Sequence, residues 1–530
     1  MKNTFIKKGL VGLVSTALVA AFAVTTPSAA QAADLTCTKS STKVETCTGT
    51  DANGAKFEIR MPANFNGTLY VYAHGIRTNV NLPAIPVVAP AGSLIDYSPE
   101  VVPGNSATIA NSLLKQGYAL AGSGVQSQGW SLEEGTDAFL QVLQAAKDKY
   151  SKVNKVVAWG NSLGALTAQA FAEQYSGAVD AVLPMCLADS AQAEITMAGD
   201  FLWGLKTFFN PAIKGFGYSA GQAGYVEMLT DLGTVLTTLQ SLQLAIAANP
   251  VQPAWPATST VPDSLKAVPV RSAILLLGLV AGISTQSKTY DASSGPAGAL
   301  ETTFGVAISP ALAVLENGAE AAALAVLANY DMERRAGGVV YDNSKTNFAT
   351  RLGDDSQVYA AALSGGTATN GMIGYLQFLA PKVTANAAAV AKLNSMYQLQ
   401  GKIEVPTITL AAAADHITPG GAVTHLVNQY NAAISAGSAK SGKLLNIWNK
   451  PADTYSTFDA KGGVTPAKWP NGVGHCQYTT SQILTVAKLA ATAAKTGKLP
   501  STATATAAIK SDKSLFIDPN FLPPLLKFRQ

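Results

Sequence analysis

An α/β fold, a mostly parallel sheet flanked by helices and broken by one large helical insertion, is what the sequence predicts, on three observations. Short uncharged apolar runs alternate with helical patterns through the first part of the chain, as a parallel sheet covered by helices requires. The alternation stops near Asp189 and resumes at Val405. Residues 190–402, between those points, are rich in Ala, Leu and Gly and poor in the β-branched alternation of strands.

In chain order, the first element is a leader. Lys2, Lys7 and Lys8 precede an uncharged stretch from Gly9 to Val24 and then Ala30-Gln31-Ala32, a small-x-small cleavage pattern. The stretch is shorter than the roughly 20 residues needed to span a bilayer. Export with removal of residues 1–32 is therefore expected, with no stable membrane insertion afterwards. An Asp51-Ala52-Asn53-Gly54 turn signal then leads into a hairpin strand, Lys56 to Arg60. Strands are predicted at Thr68–Ala73, Tyr118–Ala121, Lys155–Trp159 and Ala181–Met185, with helices over Leu132–Tyr150 and Leu163–Tyr175.

Inside the insertion, Tyr225 to Ala248 reads as a helix with a broad apolar face and Ser272 to Ile283 as a buried helix. Strands follow at Val405–Ala411 and Leu444–Trp448, then a last helix at Ser481–Ala494. The Thr/Ala-rich and proline-bearing end is expected to lie on the surface. The chain thus divides into a leader (1–32), a first core part (33–189), the insertion (190–402), a second core part (403–500) and a terminal tail (501–530).

The net charge of the 530 residues is +4. Three of those charges are the leader lysines, which leaves +1 and no indication of a nucleic-acid partner. Cys37, Cys47, Cys186 and Cys476 all follow the leader, and an exported chain meets an oxidising compartment. Three pairings are possible. Cys37 and Cys47 flank the start of a hairpin, which favours their pairing and leaves Cys186 with Cys476. None has the CxxC spacing of a zinc or redox site, and no metal or organic cofactor is implied.

The chemistry is carried by Gly160-Asn161-Ser162-Leu163-Gly164, a G-x-S-x-G match that follows the apolar strand Val156–Trp159 and opens a helix. Glycines at both flanks are needed where a sharp strand-to-helix turn brings backbones together. A second match, Gly217-Tyr218-Ser219-Ala220-Gly221, has no strand before it and reads as a loop of the insertion. A serine hydroxyl needs an imidazole to take its proton and a carboxylate to fix that imidazole's tautomer.

Four histidines are present. His475 stands in the glycine-rich loop Gly472–Cys476, between the last strand and the last helix, where it can swing over the serine. His425 lies on a predicted helix and reads as packed or solvated. His416 is expected to point away from the acid. Asp415, at the carboxyl end of the strand Thr407–Ala411, is the preferred acid, because catalytic groups collect at that end of open α/β sheets. Asp189 is the alternative, unless it caps the entry to the insertion. The oxyanion donors expected are the amide of Leu163 and that of Ile76 or Gly75, in the loop after the strand Thr68–Ala73. His74 reads as a hydrogen-bonded core histidine that orients this loop.

With the serine turn, the His74-Gly75 loop, the acid loop and the histidine loop in order, the chain resembles the α/β-hydrolase superfamily over roughly Phe57–Asp189 and Val405–Leu499. It looks like secreted bacterial members with a helical cap inserted after the strand that follows the serine turn. One detail is similar to tannases and feruloyl esterases, in which a disulfide joins the residue before the serine to the one after the histidine. Here Cys476 follows His475, but Asn161 precedes Ser162. Cys186 would have to supply the other half, tying the histidine loop to the sheet.

The resemblance implies hydrolysis of a small-molecule carboxylic ester, apolar or aromatic, by Ser162, His475 and Asp415. A peptide substrate is the second expectation; an aminopeptidase would need a carboxylate in the insertion, and Glu227, Glu316 and Glu333 stand equal at this stage. A non-catalytic secreted binding protein is the third, disfavoured because every catalytic residue type is present.

Overall fold

The computed structural model describes residues 35–85, 89–291, 305–457 and 469–530. The expected leader and its cleavage site lie outside the described residues. The strands are β1 (Thr36–Lys39), β2 (Glu45–Thr50), β3 (Lys56–Met61), β4 (Thr68–Ala73), β5 (Ala119–Ser123), β6 (Lys155–Asn161), β7 (Ala181–Met185), β8 (Thr407–Ala412), β9 (Leu444–Asn449) and β10 (Leu515–Phe516). They form one sheet in the order β1-β2-β3-β5-β4-β6-β7-β8-β9-β10. The six strands from β5 to β9 pair in parallel, and β1, β2, β3 and β10 add antiparallel edges. This is the α/β-hydrolase architecture that the sequence predicts.

The central strands read as unbroken apolar runs because both faces are covered. Leu69 and Val71 of β4, with Val156 and Ala158 of β6, meet Phe139, Val142 and Phe171 of two helices, α2 (Leu132–Lys149) and α3 (Leu163–Gln174). The alternate residues Tyr70, Tyr72, Val157 and Trp159 face Ile109, Leu113, Val486 and Ala490 on the other side. Those four belong to α1 (Ala107–Lys115) and the last core helix, Thr480–Thr496. That last helix is opened by a capping box in which the Thr479 hydroxyl accepts from the Gln482 amide and the Gln482 side chain accepts from the Thr479 amide.

Between β7 and β8 the described residues hold helices and no strand. The main ones are α4 (Ala191–Phe208), α5 (Gly221–Ala248), α6 (Val270–Ala281) and α7 (Ser309–Ala336). Every residue of α6 is buried. Helix α7 is by length and composition apolar enough to cross a membrane, yet most of its apolar stretch is buried inside the protein, where α4, α5 and α6 pack on it. Asp331 of α7 accepts from the Trp130 amide (2.7 Å), and Arg335 pairs with Glu134 (2.9 Å), which ties the insertion to the sheet domain.

The last thirty residues are mostly exposed and carry secondary structure of their own. A helix at Thr502–Ile509 is followed by β10, which pairs with β9, and Leu526 is buried. Arg529 donates to both oxygens of the buried Asp189 carboxylate, at 2.9 and 2.5 Å. Predicted strand and helix bounds otherwise differ by a residue or two at most ends, as at β5, which begins after Tyr118, and by four at the start of α5, which begins at Gly221 rather than Tyr225.

Candidate active site

Ser162 sits between β6 and α3 with φ 56° and ψ −123°, a left-handed conformation costly for any residue with a side chain. Its amide donates to Met185 O on the neighbouring strand (3.0 Å), which holds the turn closed. The two flanking glycines are required by contact. A Cβ on Gly160 would lie 2.3 Å from Gly164 O and 2.6 Å from Ala73 O, and one on Gly164 would lie 2.1 Å from Ala73 O. The look-alike motif shows no such crowding: a Cβ on Gly217 has its nearest neighbour at 3.7 Å, and one on Gly221 meets nothing within 4 Å. Ser219 is exposed there, with its hydroxyl donating to Glu227 Oε1 (2.8 Å).

The acid and histidine loops are laced together. Ala414 pairs with Val473 as in a parallel ladder, the Ala414 amide donating to Gly472 O (3.0 Å). That register brings Asp415 beside His475, whose Nδ1 lies 3.1 Å from both carboxylate oxygens. A carboxylate can only accept, so Nδ1 carries the proton and Nε2 is left as the basic nitrogen. The amides of Ile417 and Thr418 donate to Asp415 Oδ1 (2.9 Å each), and the Cys476 amide donates to Oδ2 (3.3 Å). Burial works to raise the Asp415 pKa, but His475 and these donors hold it below the usual carboxylate range. Burial likewise works to lower the His475 imidazole, and the Asp415 carboxylate reverses this and holds it above its ordinary value.

Cys186 is bonded to Cys476 and Cys37 to Cys47. The first bridge joins the end of β7 to the residue after His475. Met185, next to Cys186, is the residue whose carbonyl holds the Ser162 amide, so serine turn and histidine loop are linked through two residues of one strand end. Cys186 (φ 45°) and Cys476 (φ 53°) share the left-handed backbone of Ser162. The Thr418 hydroxyl, 3.0 Å from Asp415 Oδ2 and 3.1 Å from Cys186 O, braces the same junction. Among the described residues no hydrogen bond joins the Ser162 hydroxyl to His475, whose Nε2 lies 3.5 Å from Cys476 Sγ.

Leu163 is the first residue of α3, where an amide has no acceptor within the helix. Gly75 comes close to the serine, since a Cβ on it would stand 3.4 Å from Ser162 Cβ. His74 is buried, and its Nδ1 donates to Gly75 O (2.7 Å). Because a trans peptide points its N–H opposite its C=O, this grip also fixes the direction of the Ile76 amide.

The serine opens into a pocket. Its walls are largely apolar: Trp130, Phe201, Ile283 and Leu324 among them, drawn from the sheet domain and from α4, α6 and α7. The polar side chains on it are Ser162, Glu194, His416 and Thr418.

The other sequence candidates are engaged elsewhere. Asp189 is held by Arg529 and by His425 Nδ1 (3.0 Å), so the alternative acid and the helical histidine are engaged with each other in a structural cluster; the cap of α4 is Ser190. His416 turns Nε2 to Glu320 Oε2 of α7 (3.0 Å). Glu227 pairs with Lys214, Glu316 accepts from Ser287 and Thr289, and Glu333 accepts from the Gly217 and Tyr218 amides. None of these three lines the pocket.

Sequence reasoning missed Glu194, which does. It stands in the first turn of α4, where an acidic residue reads as a complement to the helix dipole. Thr418 was also missed, and nothing in the local sequence marks it. Among the described residues, Asp415, His475 and Cys476 are the one group clustered closely enough to hold a metal ion, but the Cys476 sulfur is committed to its disulfide.

No protein-family model matches the chain, and no curated protein matches it in sequence. Solved structures similar to it include feruloyl esterase B from Aspergillus oryzae, 12% identical over 86% of this chain and 81% of that one, with a TM-score of 0.36. An esterase from the same organism is 11% identical over 76% and 72%, TM-score 0.33. A Pyrococcus horikoshii acylaminoacyl peptidase is 9% identical over 31% of this chain and 24% of that one, TM-score 0.20. Such identities say nothing of substrate.

Proposed function

We propose that this chain is a serine hydrolase that cleaves a carboxylic ester through an acyl-enzyme, with Ser162 as nucleophile, His475 as base and Asp415 as the group that orients it. What supports the proposal is a positive-φ serine at a strand end under an apolar pocket, and a buried Asp415 on His475 Nδ1 in a loop that the Cys186–Cys476 bridge ties to the strand end holding the serine turn.

In the reaction His475 Nε2 takes the Ser162 proton as Oγ adds to the ester carbonyl carbon. The amide of Leu163, with that of Ile76 or Gly75, holds the oxyanion, a contribution on the order of 3 kcal/mol per donor. The tetrahedral adduct collapses, and His475 returns the proton to the departing alcohol. Water repeats the sequence on the acyl-enzyme and frees the acid. The bond between Oγ and Nε2 is expected to form with substrate bound, since such bonds often tighten only in the complex.

The helical insertion acts in this reading as a cap, since α4, α6 and α7 furnish much of the pocket wall. The apolar lining suits an alkyl or aromatic group better than a sugar or phosphate. Of the insertion carboxyls an aminopeptidase could use, Glu227, Glu316 and Glu333 have partners away from the pocket, and Glu194, which lines it, keeps its proton at neutral pH, so the ester reading is preferred. Two disulfides suit an oxidising compartment, which supports export after removal of residues 1–32.

Nitrophenyl esters set against aminoacyl anilides, on the native chain and on Ser162→Ala, test the proposal. Ester turnover that vanishes in the variant is expected. Turnover that survives it, or anilide cleavage alone, would overturn the assignment.

A further inference from the structure

Glu194 is an anomaly in its surroundings. Among the described residues it is the one carboxyl on a largely apolar pocket wall that it shares with Ser162, His416 and Thr418. Its Oε1 accepts from the Asp189 amide (3.0 Å), which fixes the side chain, while Oε2 has no protein partner among the described residues. Among the described residues no lysine or arginine pairs with it, and the nearby Arg529 and His425 both hold Asp189. The other titratable groups around it are Asp189 on the preceding loop, Asp415 and His416 on the acid loop, with Glu320 of α7 on His416, and His475 on the histidine loop.

An unpaired carboxyl among apolar walls and beside two buried carboxylates is cheapest as the neutral acid, which is a donor rather than an acceptor. We propose that Glu194 is a specificity-determining residue: its Oε2 hydroxyl donates a hydrogen bond to a neutral oxygen acceptor, such as an ether, hydroxyl or carbonyl, on the substrate group that fills the pocket. The proposal rests on the serine-hydrolase reading and narrows its substrate to one apolar group bearing an inward-facing oxygen. The titration agrees with it. Burial first, and then the Asp189 and Asp415 carboxylates, push the Glu194 pKa up to about 8, against the pull of the Asp189 amide and of His475. The acid therefore keeps its proton at neutral pH and loses it on the alkaline side.

The test uses hexyl-chain esters in which one methylene at a time is replaced by an ether oxygen, in the acyl group in one series and in the alcohol in another. Hydrolysis is followed by proton release on the full chain. At one position the wild type is expected to favour the ether over its all-carbon parent about tenfold in kcat/KM, the worth of one hydrogen bond. Glu194→Leu brings that ratio close to one. Glu194→Gln, which still has a donor, keeps most of it. In the wild type the ratio declines above about pH 8, and in Glu194→Gln it does not.

No preferred position in either series would overturn the proposal. So would a preference that survives in Glu194→Leu, or one that grows as pH rises. Should Glu194→Leu fail to fold, the pH arm in wild type and Glu194→Gln decides alone. Absence of all ester hydrolysis in the wild type, or turnover that persists in Ser162→Ala, removes the serine-hydrolase reading and this proposal with it. Intact serine-dependent turnover with unmoved ratios removes this proposal only.

Discussion

Asp415 is cut off from water and surrounded by donors, so its negative charge is available to His475 at every pH at which the enzyme would work. The imidazole it stabilises is the charged form, while the base needed for catalysis is the neutral one. The sign follows: kcat/KM is lost as pH falls through the His475 pKa, and the midpoint of that acid limb is expected above 6.5. Asp415→Asn should move the midpoint down and cut kcat by about 10⁴-fold, read from pH profiles of the two proteins. Gly164 and Gly221 give a paired test at the same scale. Gly164→Ala puts a methyl 2.1 Å from Ala73 O and should cost roughly 3 kcal/mol in urea unfolding, with turnover largely lost. Gly221→Ala meets open space at φ 65° and should cost only about 1 kcal/mol, the strain of the left-handed backbone alone.

Elements differ in how far the sequence reveals them. Strands β4, β6 and β7 are legible because each is buried on both faces, so the apolar run and its flanks mark them. The serine turn is legible because steric contact dictates both glycines, and it separates from its look-alike through the strand that precedes it. What separates Asp189 from Asp415 is contact invisible along the chain: Arg529 reaches Asp189 across 340 positions, while His475 Nδ1 lies 3.1 Å from the Asp415 carboxylate.

Glu194 had no signal, since its first-turn position looks the same whether the carboxyl meets solvent or a pocket. The strand in the terminal segment was not legible, because a Thr/Ala- and proline-rich composition says nothing about an edge strand on β9. The two disulfides should separate by function. Replacing Cys186 and Cys476 together by Ala should lower kcat at least tenfold, because the histidine loop loses its tie to the strand end beside Ser162. The same change at Cys37 and Cys47, on the far edge of the sheet, should leave kcat near wild type. Turnover of each variant under saturating ester is the check.

In the whole molecule, the sheet supplies a fixed floor, the insertion a roof, and the chain's end a clamp where they meet. Asp189 lies between β7 and α4, the point at which the insertion leaves the sheet, and Arg529 holds it from the last residues of the chain. Arg529→Ala leaves a buried carboxylate with His425 alone. A loss of roughly 3 kcal/mol is expected in denaturant unfolding, the cost of breaking one side of a buried pair.

All of this depends on the serine at the strand end being the reactive atom. Reaction of the native chain with a fluorophosphonate, followed by peptide mapping, asks that directly. A single adduct on the peptide containing Ser162, formed far more slowly in His475→Ala, is the expected result. An adduct on Ser219 or elsewhere, or labelling at Ser162 that is indifferent to loss of the imidazole, would contradict it.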